Sequence, residues 1–394
     1  MNIKEINWEA QLDTSLVSKS VIEALNTKKI FRYQYKSTKS AVNKLEELIC
    51  DYVGSKFSLA TSSATNAIFL ALKSLGIDEN SKVLIPSFTF TAVPSAVVQC
   101  GAEPVLVDIT ENYVIDLKDL EVKISTSQAK YLLLSHMRGH LCDMDKVVEI
   151  CKKNDVVLIE DAAHALGVKW KGRFAGTFGL LGIFSLQSYK VINAGEGGIL
   201  ITNDPYIFWK TVVMSGSYED NYLSHSIHNQ EIASSYKNQL PVFNVRMNVL
   251  TAAAAIPQLQ KIEETIENLN EKYFRFVETM SHIDVIEFPN LNSKLRVVRD
   301  SVQFRIKVDE ESRLKFKLKL NEAGIPISYF GGENNNNARL YKNWKFLCKN
   351  DFSLEKTDKN LSEVFDIRLP IHFTNECIDC ISAEVSRILL PFIK

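Results

Sequence analysis

The sequence predicts an α/β fold, in which a large domain with a mostly parallel central sheet flanked by helices precedes a smaller C-terminal α+β domain. Short apolar runs recur along residues 1–245 with helical patterns between them, which is typical of parallel strands buried on both faces. Beyond them, a long helical stretch leads into an alternating strand and further helices. We therefore expect a large domain over residues 1–245 and a small domain over 246–394, joined by a long helix.

The predicted elements follow from local patterns. Residues 15–25 and 40–53 have apolar residues at helical spacing, and the polar turn 61–66 opens a helix that Gly76 closes. The predicted strands of the large domain are 83–85, 104–107, 131–134, 156–159, 183–186 and 199–202. The predicted elements of the small domain are a helix 251–280 with a kink at Pro257, a strand 302–306, a helix 314–323 and a closing helix 375–393.

Size and composition exclude several classes of function. The chain has 394 residues and a formal net charge of -1, so nucleic acid or an anionic membrane is not expected as its main partner. No signal peptide and no apolar run long enough to cross a bilayer is visible. The seven cysteines are odd in number and scattered, which does not resemble a disulfide framework. We expect a cytoplasmic protein.

Lys190 follows the apolar run 183–186 and precedes a glycine-rich bend, Gly195–Gly198. Burial lowers the pKa of a lysine, and an unprotonated amine can form a Schiff base with a carbonyl group. A lysine at the end of a buried strand, with glycines that leave space behind it, therefore suits a reactive amine in a pocket. Alone, the stretch is equally compatible with a hairpin that carries a surface lysine.

Ligands of parallel α/β sheets bind beyond the carboxyl ends of the strands. Asp161 lies at such an end, just after the run 156–159. If its carboxylate faces the same pocket as Lys190, it can keep a pyridinium nitrogen protonated, so that the ring accepts electrons from an adjoining carbanion. A cap of the following turn is the open alternative.

Two further strand ends are candidates for binding. The turn 63–66 presents backbone N–H groups and hydroxyls at a helix N-terminus, which suits a phosphate but also describes an ordinary cap. Phe90 offers an aromatic ring that could lie against a planar cofactor, or it could be core.

Taken together, these features resemble the fold-type I pyridoxal-phosphate (PLP) enzymes, and within them the DegT/DnrJ/StrS family of sugar aminotransferases. The resemblance covers nearly the whole chain and rests on several motifs in one order. They are Ile159-Glu-Asp-Ala-Ala-His164, Gly172-Arg173 with Gly176-Thr-Phe-Gly179, Phe184-Ser185 with Lys190, Gly195-Glu-Gly-Gly198 and Asn244-Val-Arg-Met247.

The resemblance implies a role for each matching residue. Lys190 would form the Schiff base with PLP and then carry a proton, and Asp161 would pair with the pyridinium nitrogen. Asn244 would reach the phosphate bound in the neighbouring subunit, so the resemblance implies a homodimer with shared active sites. The remaining implied cofactor contacts are His164 near the phenolic oxygen, Phe90 on the ring, and Ala64, Thr65 and Ser185 at the phosphate.

The chain also departs from the family pattern. Ala64 replaces the usual glycine of the phosphate turn, and residues 187–189 replace the usual His-Pro-Thr before the lysine. Val242 stands where the family has a glycine, and 213–218 where many members have an arginine-rich loop. These changes leave the cofactor chemistry intact but weaken the case for a standard nucleotide-sugar substrate.

Other residues bear on the substrate. Arg138 could hold a carboxylate bidentately or form a structural ion pair, and the flanking His136 and His140 lack companion ligands, so no metal is expected. The polar loop 333–344, with Phe31-Arg32-Tyr33, resembles the branch of the family that aminates carbon 8 of the acidic sugar Kdo. The predicted substrate-contacting residues are Phe31, Arg32, Arg138, Tyr189, Asn336 and Trp344.

The function that the resemblance implies is a PLP-dependent aminotransferase. It would transfer an amino group, expected from glutamate, to a keto-sugar or nucleotide-linked keto-sugar for a cell-surface polysaccharide such as lipopolysaccharide, or for a secondary metabolite. A free acidic keto-sugar such as 8-oxidised Kdo is the alternative acceptor. A PLP-dependent sugar dehydratase would carry histidine in place of Lys190, and nothing basic supports a non-catalytic PLP-binding regulator.

Overall fold

The computed structural model describes residues 3–35, 38–225, 230–332, 335–347 and 353–393. The helices are α1 Thr14–Asn26, α2 Ala41–Val53, α3 Ala64–Ser74, α4 Ala92–Gln99, α5 Leu117–Ser127, α6 Met144–Lys153, α7 Pro205–Gly216, α8 Gln230–Tyr236, α9 Val249–Gln260, α10 Ile262–Met280, α11 Glu310–Glu322, α12 Glu355–Leu361 and α13 Asn375–Leu389. The strands are β1 Phe57–Thr61, β2 Lys82–Pro86, β3 Glu103–Val107, β4 Tyr131–Ser135, β5 Val157–Asp161, β6 Lys169–Trp170, β7 Arg173–Phe174, β8 Leu181–Ser185, β9 Gly198–Thr202, β10 Ile286–Glu287, β11 Leu295–Arg296, β12 Ser301–Ile306, β13 Ser328–Tyr329 and β14 Val364–Arg368.

The large sheet has the strand order β1-β9-β8-β5-β4-β2-β3. The strands from β8 to β3 pair in parallel, and β9 runs antiparallel to both β8 and β1. The register places Ser135 beside Asp161, Asp161 beside Ile183, and Ser185 beside Gly198. The ends of β4, β5, β8 and β1 therefore meet at one edge of the sheet.

Both faces of the large sheet are covered, as the apolar runs predict. In β5, Leu158 belongs to the core under α2, α6 and α9, whereas Ile159 belongs to the core under α3, α4 and α7. Because successive side chains of a strand point to opposite faces, each strand must be apolar throughout. The predicted α/β class is confirmed.

Helices also pack on a second, four-stranded antiparallel sheet of strand order β10-β12-β14-β13, which has a core of its own. Helix α10 contributes to two cores, with Ile266 and Leu269 in the core of the large sheet and Tyr273 and Phe276 in the core of the four-stranded sheet. The division into domains at residues 245 and 246 stays a prediction. In addition, β11, β6 and β7 form a three-stranded antiparallel sheet. Among the described helices, none is long and apolar enough to cross a membrane.

The predicted helix 251–280 is two helices, and the kink at Pro257 stays a prediction. Pro257 lies inside α9, and the break comes at Lys261, whose backbone angles are φ −106° and ψ 14°. The Lys261 N–H donates to the Gln258 carbonyl three residues back, a tightened bond that ends an α-helix.

Candidate active site

A short polar turn after β8 holds Lys190. The Lys190 N–H donates to the Gln187 carbonyl at 2.8 Å, and the Ser188 N–H donates to the Gly195 carbonyl at 3.0 Å. These bonds fold the turn against the glycine-rich bend and fix the direction of the lysine. Lys190 Nζ lies 2.8 Å from Nε2 of His164, which follows β5. The turn thus brings together two residues that the family motifs keep apart in sequence.

Burial lowers the pKa of Lys190 to about 7. The positive charges of Arg138 and Arg368 contribute to this lowering, whereas the negative charges of Asp300 and Asp161 oppose it. Burial also holds the pKa of His164 well below its usual value. A large fraction of Lys190 is therefore unprotonated near neutral pH, which is the form that attacks a carbonyl group.

Asp161 ends β5, beside the strand that leads to Lys190. One carboxylate oxygen accepts the Ser135 hydroxyl at 2.7 Å, and the other accepts the Ala163 N–H at 3.1 Å. Burial raises the pKa of Asp161, although these two bonds and the charge of Lys190 oppose the shift. Asp161 is buried, and among the described residues no cationic group lies at hydrogen-bond distance from its carboxylate. A cation that binds beside such a carboxylate therefore stabilises its charged form.

The N-terminus of α3 faces the end of β8. The Ser63 side chain caps α3 by accepting the Asn66 N–H, while the N–H groups of Ala64 and Thr65 have no acceptor within the helix. Gly198 allows this approach, because a Cβ there would collide with the Ser63 backbone and the Ala64 nitrogen. Since Gly198 pairs with Ser185, the cap and that hydroxyl form one polar cradle.

These residues fit PLP. A half-buried amine, a buried carboxylate and a helix N-terminus with a nearby hydroxyl match the aldehyde, the pyridinium nitrogen and the phosphate of that cofactor. The Phe90 ring is 45% exposed, although large apolar side chains are mostly buried here, so it is available to a planar ligand. The individual contacts to PLP stay predictions.

Glu160 was missed by sequence reasoning, and it organises the loop under the site. It is fully buried, and its two oxygens accept the N–H groups of Gly176 (2.9 Å), Phe178 (2.6 Å) and Gly179 (2.7 Å) and approach His136 Nε2 (2.8 Å). The available signal was a second carboxylate at the end of an apolar strand. Glu160 therefore fixes the backbone of the Gly172–Gly179 motif beneath Asp161.

Replacing Glu160 with glutamine is expected to lower the free energy of unfolding by about 3 kcal/mol. The amide nitrogen cannot accept, so at least one of the bonds from Gly176, His136 or the neighbouring N–H groups is lost in a buried place. Denaturant unfolding of the cofactor-free protein measures the change. The exposed Glu149→Gln is the control and should shift stability by less than about 0.5 kcal/mol. Equal stabilities of the two variants would contradict this role.

The structure places Phe31 and Arg32 in a packed network. Arg32 is buried and makes a bidentate ion pair with Glu46 at 2.9 and 3.0 Å, and its Nη2 also lies 3.1 Å from His225 Nδ1. The Phe31 ring lies under the Arg246 guanidinium. The Arg32 side chain is thus engaged within the protein, and substrate contact by either residue stays a prediction.

The loop 335–347 lies against the edge of the large sheet. A bridge pairs Leu340 with Phe88, just beyond β2. Asn336 is exposed, whereas Trp344 is buried and donates from its indole to the Ala338 carbonyl at 2.9 Å. Glu333 and Asn334, the start of the predicted substrate loop, lie outside the described residues.

Three other predicted residues have clear surroundings. The Tyr189 hydroxyl donates to Glu9 in the N-terminal segment, and the Tyr189 ring packs on the Arg368 guanidinium at 4.4 Å. Asn244 is exposed with a left-handed backbone (φ 54°), which leaves its side chain open to a partner. Arg138 is buried and pairs with Asp366.

The histidines that flank Arg138 both have partners. His136 contacts Glu160, and His140 Nε2 lies 2.8 Å from the Gln303 amide oxygen. Within the described ranges, no group of three or more His, Cys, Asp or Glu side chains could hold a metal ion.

Comparison with known proteins shows the family to which the chain belongs. The model of the DegT/DnrJ/EryC1/StrS aminotransferase family matches residues 18–386. GDP-perosamine synthase of Escherichia coli O157:H7 is 31% identical over 66% of this chain and 65% of its own length. For 3-amino-5-hydroxybenzoate synthase of Amycolatopsis mediterranei, identity is 30% over 72% of each chain. The chain thus spans about two thirds of the length of these relatives.

A solved structure shows the same fold over the whole chain. A Streptococcus pneumoniae protein in its PLP-form superimposes with a TM-score of 0.83 and 20% identity, covering 99% of this chain and 100% of the other. The predicted fold type and family are confirmed, and PLP is the cofactor of that family.

Proposed function

This chain belongs to the DegT/DnrJ/EryC1/StrS aminotransferase family, and from that premise we propose that it is a PLP-dependent aminotransferase that moves the amino group of glutamate onto a keto-sugar. The observation that carries the proposal is the half-buried Lys190, with its lowered pKa, at the same sheet edge as the Asp161 carboxylate. The proposed acceptor is a keto-sugar or a nucleotide-linked keto-sugar. Its product would enter a cell-surface polysaccharide or a secondary metabolite.

Each residue of the site has a proposed task. When bound, PLP supplies a ring that accepts the electrons left on the Cα of the amino donor. Lys190 Nζ holds the cofactor covalently at rest and, once released, takes the proton from that Cα. Asp161 keeps the ring nitrogen protonated, and the N–H groups of Ala64 and Thr65 hold the phosphate.

Burial of Lys190 serves both of its tasks. At a pKa of about 7 the amine is a free nucleophile for a substantial part of the time, and it is a base whose strength matches neutral pH. The adjacent His164 stays neutral, since burial and nearby arginines disfavour its charge. A neutral imidazole can exchange a hydrogen bond with the amine without fixing it in the protonated state.

We further propose a cytoplasmic homodimer in which Asn244 of one chain completes the phosphate site of the other. The exposed side chain of Asn244, on a left-handed backbone, supports this because it is open to a partner chain. A sugar dehydratase is disfavoured by Lys190. A free acidic keto-sugar stays the alternative acceptor.

The test is nitrogen transfer by the PLP-loaded protein. Added L-glutamate should remove the yellow colour and release one equivalent of 2-oxoglutarate without an acceptor. A panel of keto-sugars, free and nucleotide-linked, is then screened for amino-sugar formation and return of the colour. A protein that stays yellow with glutamate and with every other amine donor would refute the proposed transamination.

A further inference from the structure

Ser135 and Asp161 end neighbouring parallel strands and point to the same face of the large sheet. Two residues earlier, Leu133 of β4 and Ile159 of β5 both belong to the core under α3, α4 and α7. Because successive side chains of a strand alternate between its two faces, Ser135 and Asp161 continue the face of these two residues. The register pairs them directly. A hydroxyl and a carboxylate therefore lie side by side where the two strands end.

The surrounding backbone fixes this pair. The His136 N–H donates to the Asp161 carbonyl at 2.9 Å, so β4 and β5 stay joined just beyond Ser135. The Ser135 hydroxyl donates to Asp161 Oδ2 at 2.7 Å, and among the described residues this is its one hydrogen bond. Ser135 is 8% exposed and Asp161 is 5% exposed, so little water is available to replace that bond.

The bond favours the ionised form of Asp161. An ionised carboxylate only accepts hydrogen bonds, and a hydroxyl has a single proton to donate to it. Burial raises the pKa of Asp161, and the Ser135 hydroxyl is the strongest of the influences that oppose this rise. The Ala163 N–H and the charges of Lys190 and His136 act in the same direction as Ser135. Without the hydroxyl, the buried carboxylate would more readily take up a proton itself.

The bond also fixes the plane of the carboxylate. The Ala163 N–H holds the other oxygen, Oδ1, at 3.1 Å, and it belongs to the turn that directly follows Asp161. Ser135 is thus the side chain from another strand that prevents the carboxylate from rotating about its Cβ–Cγ bond. A directed hydrogen bond to a ring nitrogen requires such a fixed orientation, because a misplaced acceptor loses most of its effect.

We propose that Ser135 is a positioning residue, whose hydroxyl keeps the Asp161 carboxylate ionised and oriented toward the ring nitrogen of PLP. The proposal rests on the proposed function, because Ser135 would act through Asp161 and would contact neither PLP nor a substrate. A serine after an apolar run looks like an ordinary strand end, so sequence reasoning missed it. The parallel register of β4 and β5 gives this serine its partner.

The first measurement needs neither PLP nor turnover. Full-length protein labelled with ¹³C at the aspartate carboxyl carbons is titrated by NMR, and comparison with Asp161→Asn identifies the Asp161 signal. Ser135→Ala removes the hydroxyl, and Ser135→Thr keeps it. Ser58→Ala is the matched control, because Ser58 is a buried serine of β1 whose hydroxyl donates to the Glu46 carbonyl.

We expect Ser135→Ala to raise the proton affinity of Asp161 roughly tenfold, which is the size of effect that a lost hydrogen bond to a charged group produces. In the PLP-loaded protein, the same variant should slow the reaction with glutamate roughly tenfold. Ser135→Thr should restore both values, and Ser58→Ala should leave both at the wild-type level. If Ser135→Ala does not fold, Ser135→Val replaces it, because valine has the shape of threonine without the hydroxyl.

Two results would overturn the role of Ser135. One is an Asp161 carboxylate that titrates alike with and without the hydroxyl, and the other is a slowed reaction that Ser135→Thr does not restore. Glutamate-dependent release of 2-oxoglutarate by the wild type tests the proposed function separately. If it is absent while Ser135 still governs the titration of Asp161, the aminotransferase function fails and the effect of Ser135 on Asp161 stands.

Discussion

Lys190→Ala is expected to lose covalent attachment of PLP and to lower turnover with glutamate by roughly 10⁴-fold or more. The Lys190 amine both binds the aldehyde and moves the proton of the donor, so one change removes two steps. The strand β8 and the glycine-rich bend hold the turn through backbone bonds, so the variant should fold and still bind PLP through the phosphate cradle. Borohydride reduction followed by mass spectrometry measures the covalent attachment.

The chain offers a matched control in Lys272. This lysine is buried on α10, donates to the Ile371 carbonyl, and has its pKa lowered to about 8 by burial. Lys272→Met should keep both the covalent attachment and the turnover, which separates the catalytic amine from a merely buried one. Wild-type turnover by a folded Lys190→Ala variant would refute the assignment.

The pH dependence of attachment follows from the lowered pKa of Lys190. The pKa is about 7 in the folded protein, against an ordinary value of 10.5. Between pH 7 and pH 10.5, the folded state therefore binds fewer protons than the unfolded state. The fraction of reactive amine should therefore rise as pH increases through about 7. The cost of the buried ammonium to stability is fully present below about 7 and falls as pH rises toward 10.5.

The strand ends could be predicted from the sequence because the signals are local. The apolar runs fix which segments lie in the sheet, and the parallel register then brings Asp161 and Ser185 to one edge. The helix start at Ala64 follows from the capping Ser63. For these residues the neighbouring sequence contains enough information to place the side chain.

The remaining features depend on contacts between segments far apart in the chain. Arg368 reaches the pocket of Lys190 only through the packing of strand β14, and no local pattern marks it. Likewise, the pairing of Arg32 with Glu46 was not predicted, since Glu46 looks like a surface residue of α2 until the Arg32 guanidinium is brought against it. Sequence patterns indicate which side chains are buried better than they indicate which other side chains those residues contact.

Asp161→Asn is expected to keep covalent attachment of PLP but to slow the reaction with glutamate by roughly 10²–10³-fold. The amide has nearly the same shape as the carboxylate. Its oxygen can still accept the Ala163 N–H, and its nitrogen can donate to the Ser135 hydroxyl, which rotates to accept. The lost feature is the negative charge that keeps the ring nitrogen protonated. Stopped-flow absorbance with glutamate measures the rate of the donor half-reaction.

The same substitution should not destabilise the cofactor-free protein. Burial raises the pKa of Asp161 above 3.8. Between pH 3.8 and this raised pKa, the folded state therefore holds a proton that the unfolded state has already released. Stability therefore falls as pH rises above 3.8, and at neutral pH the ionised carboxylate lowers it. Asp161→Asn removes this cost, and calorimetric melting of the cofactor-free variant should occur at or above the wild-type temperature.

Opposite effects on rate and stability distinguish a cofactor partner from a structural carboxylate. Glu160, one residue earlier, has its oxygens filled by backbone donors, so its loss should lower stability first. Asp161 has only two bonds to the protein and remains buried, an arrangement that costs free energy unless a cation binds it. If Asp161→Asn reacts with glutamate at the wild-type rate, or melts well below the wild type, Asp161 supports the fold and another group must protonate the ring.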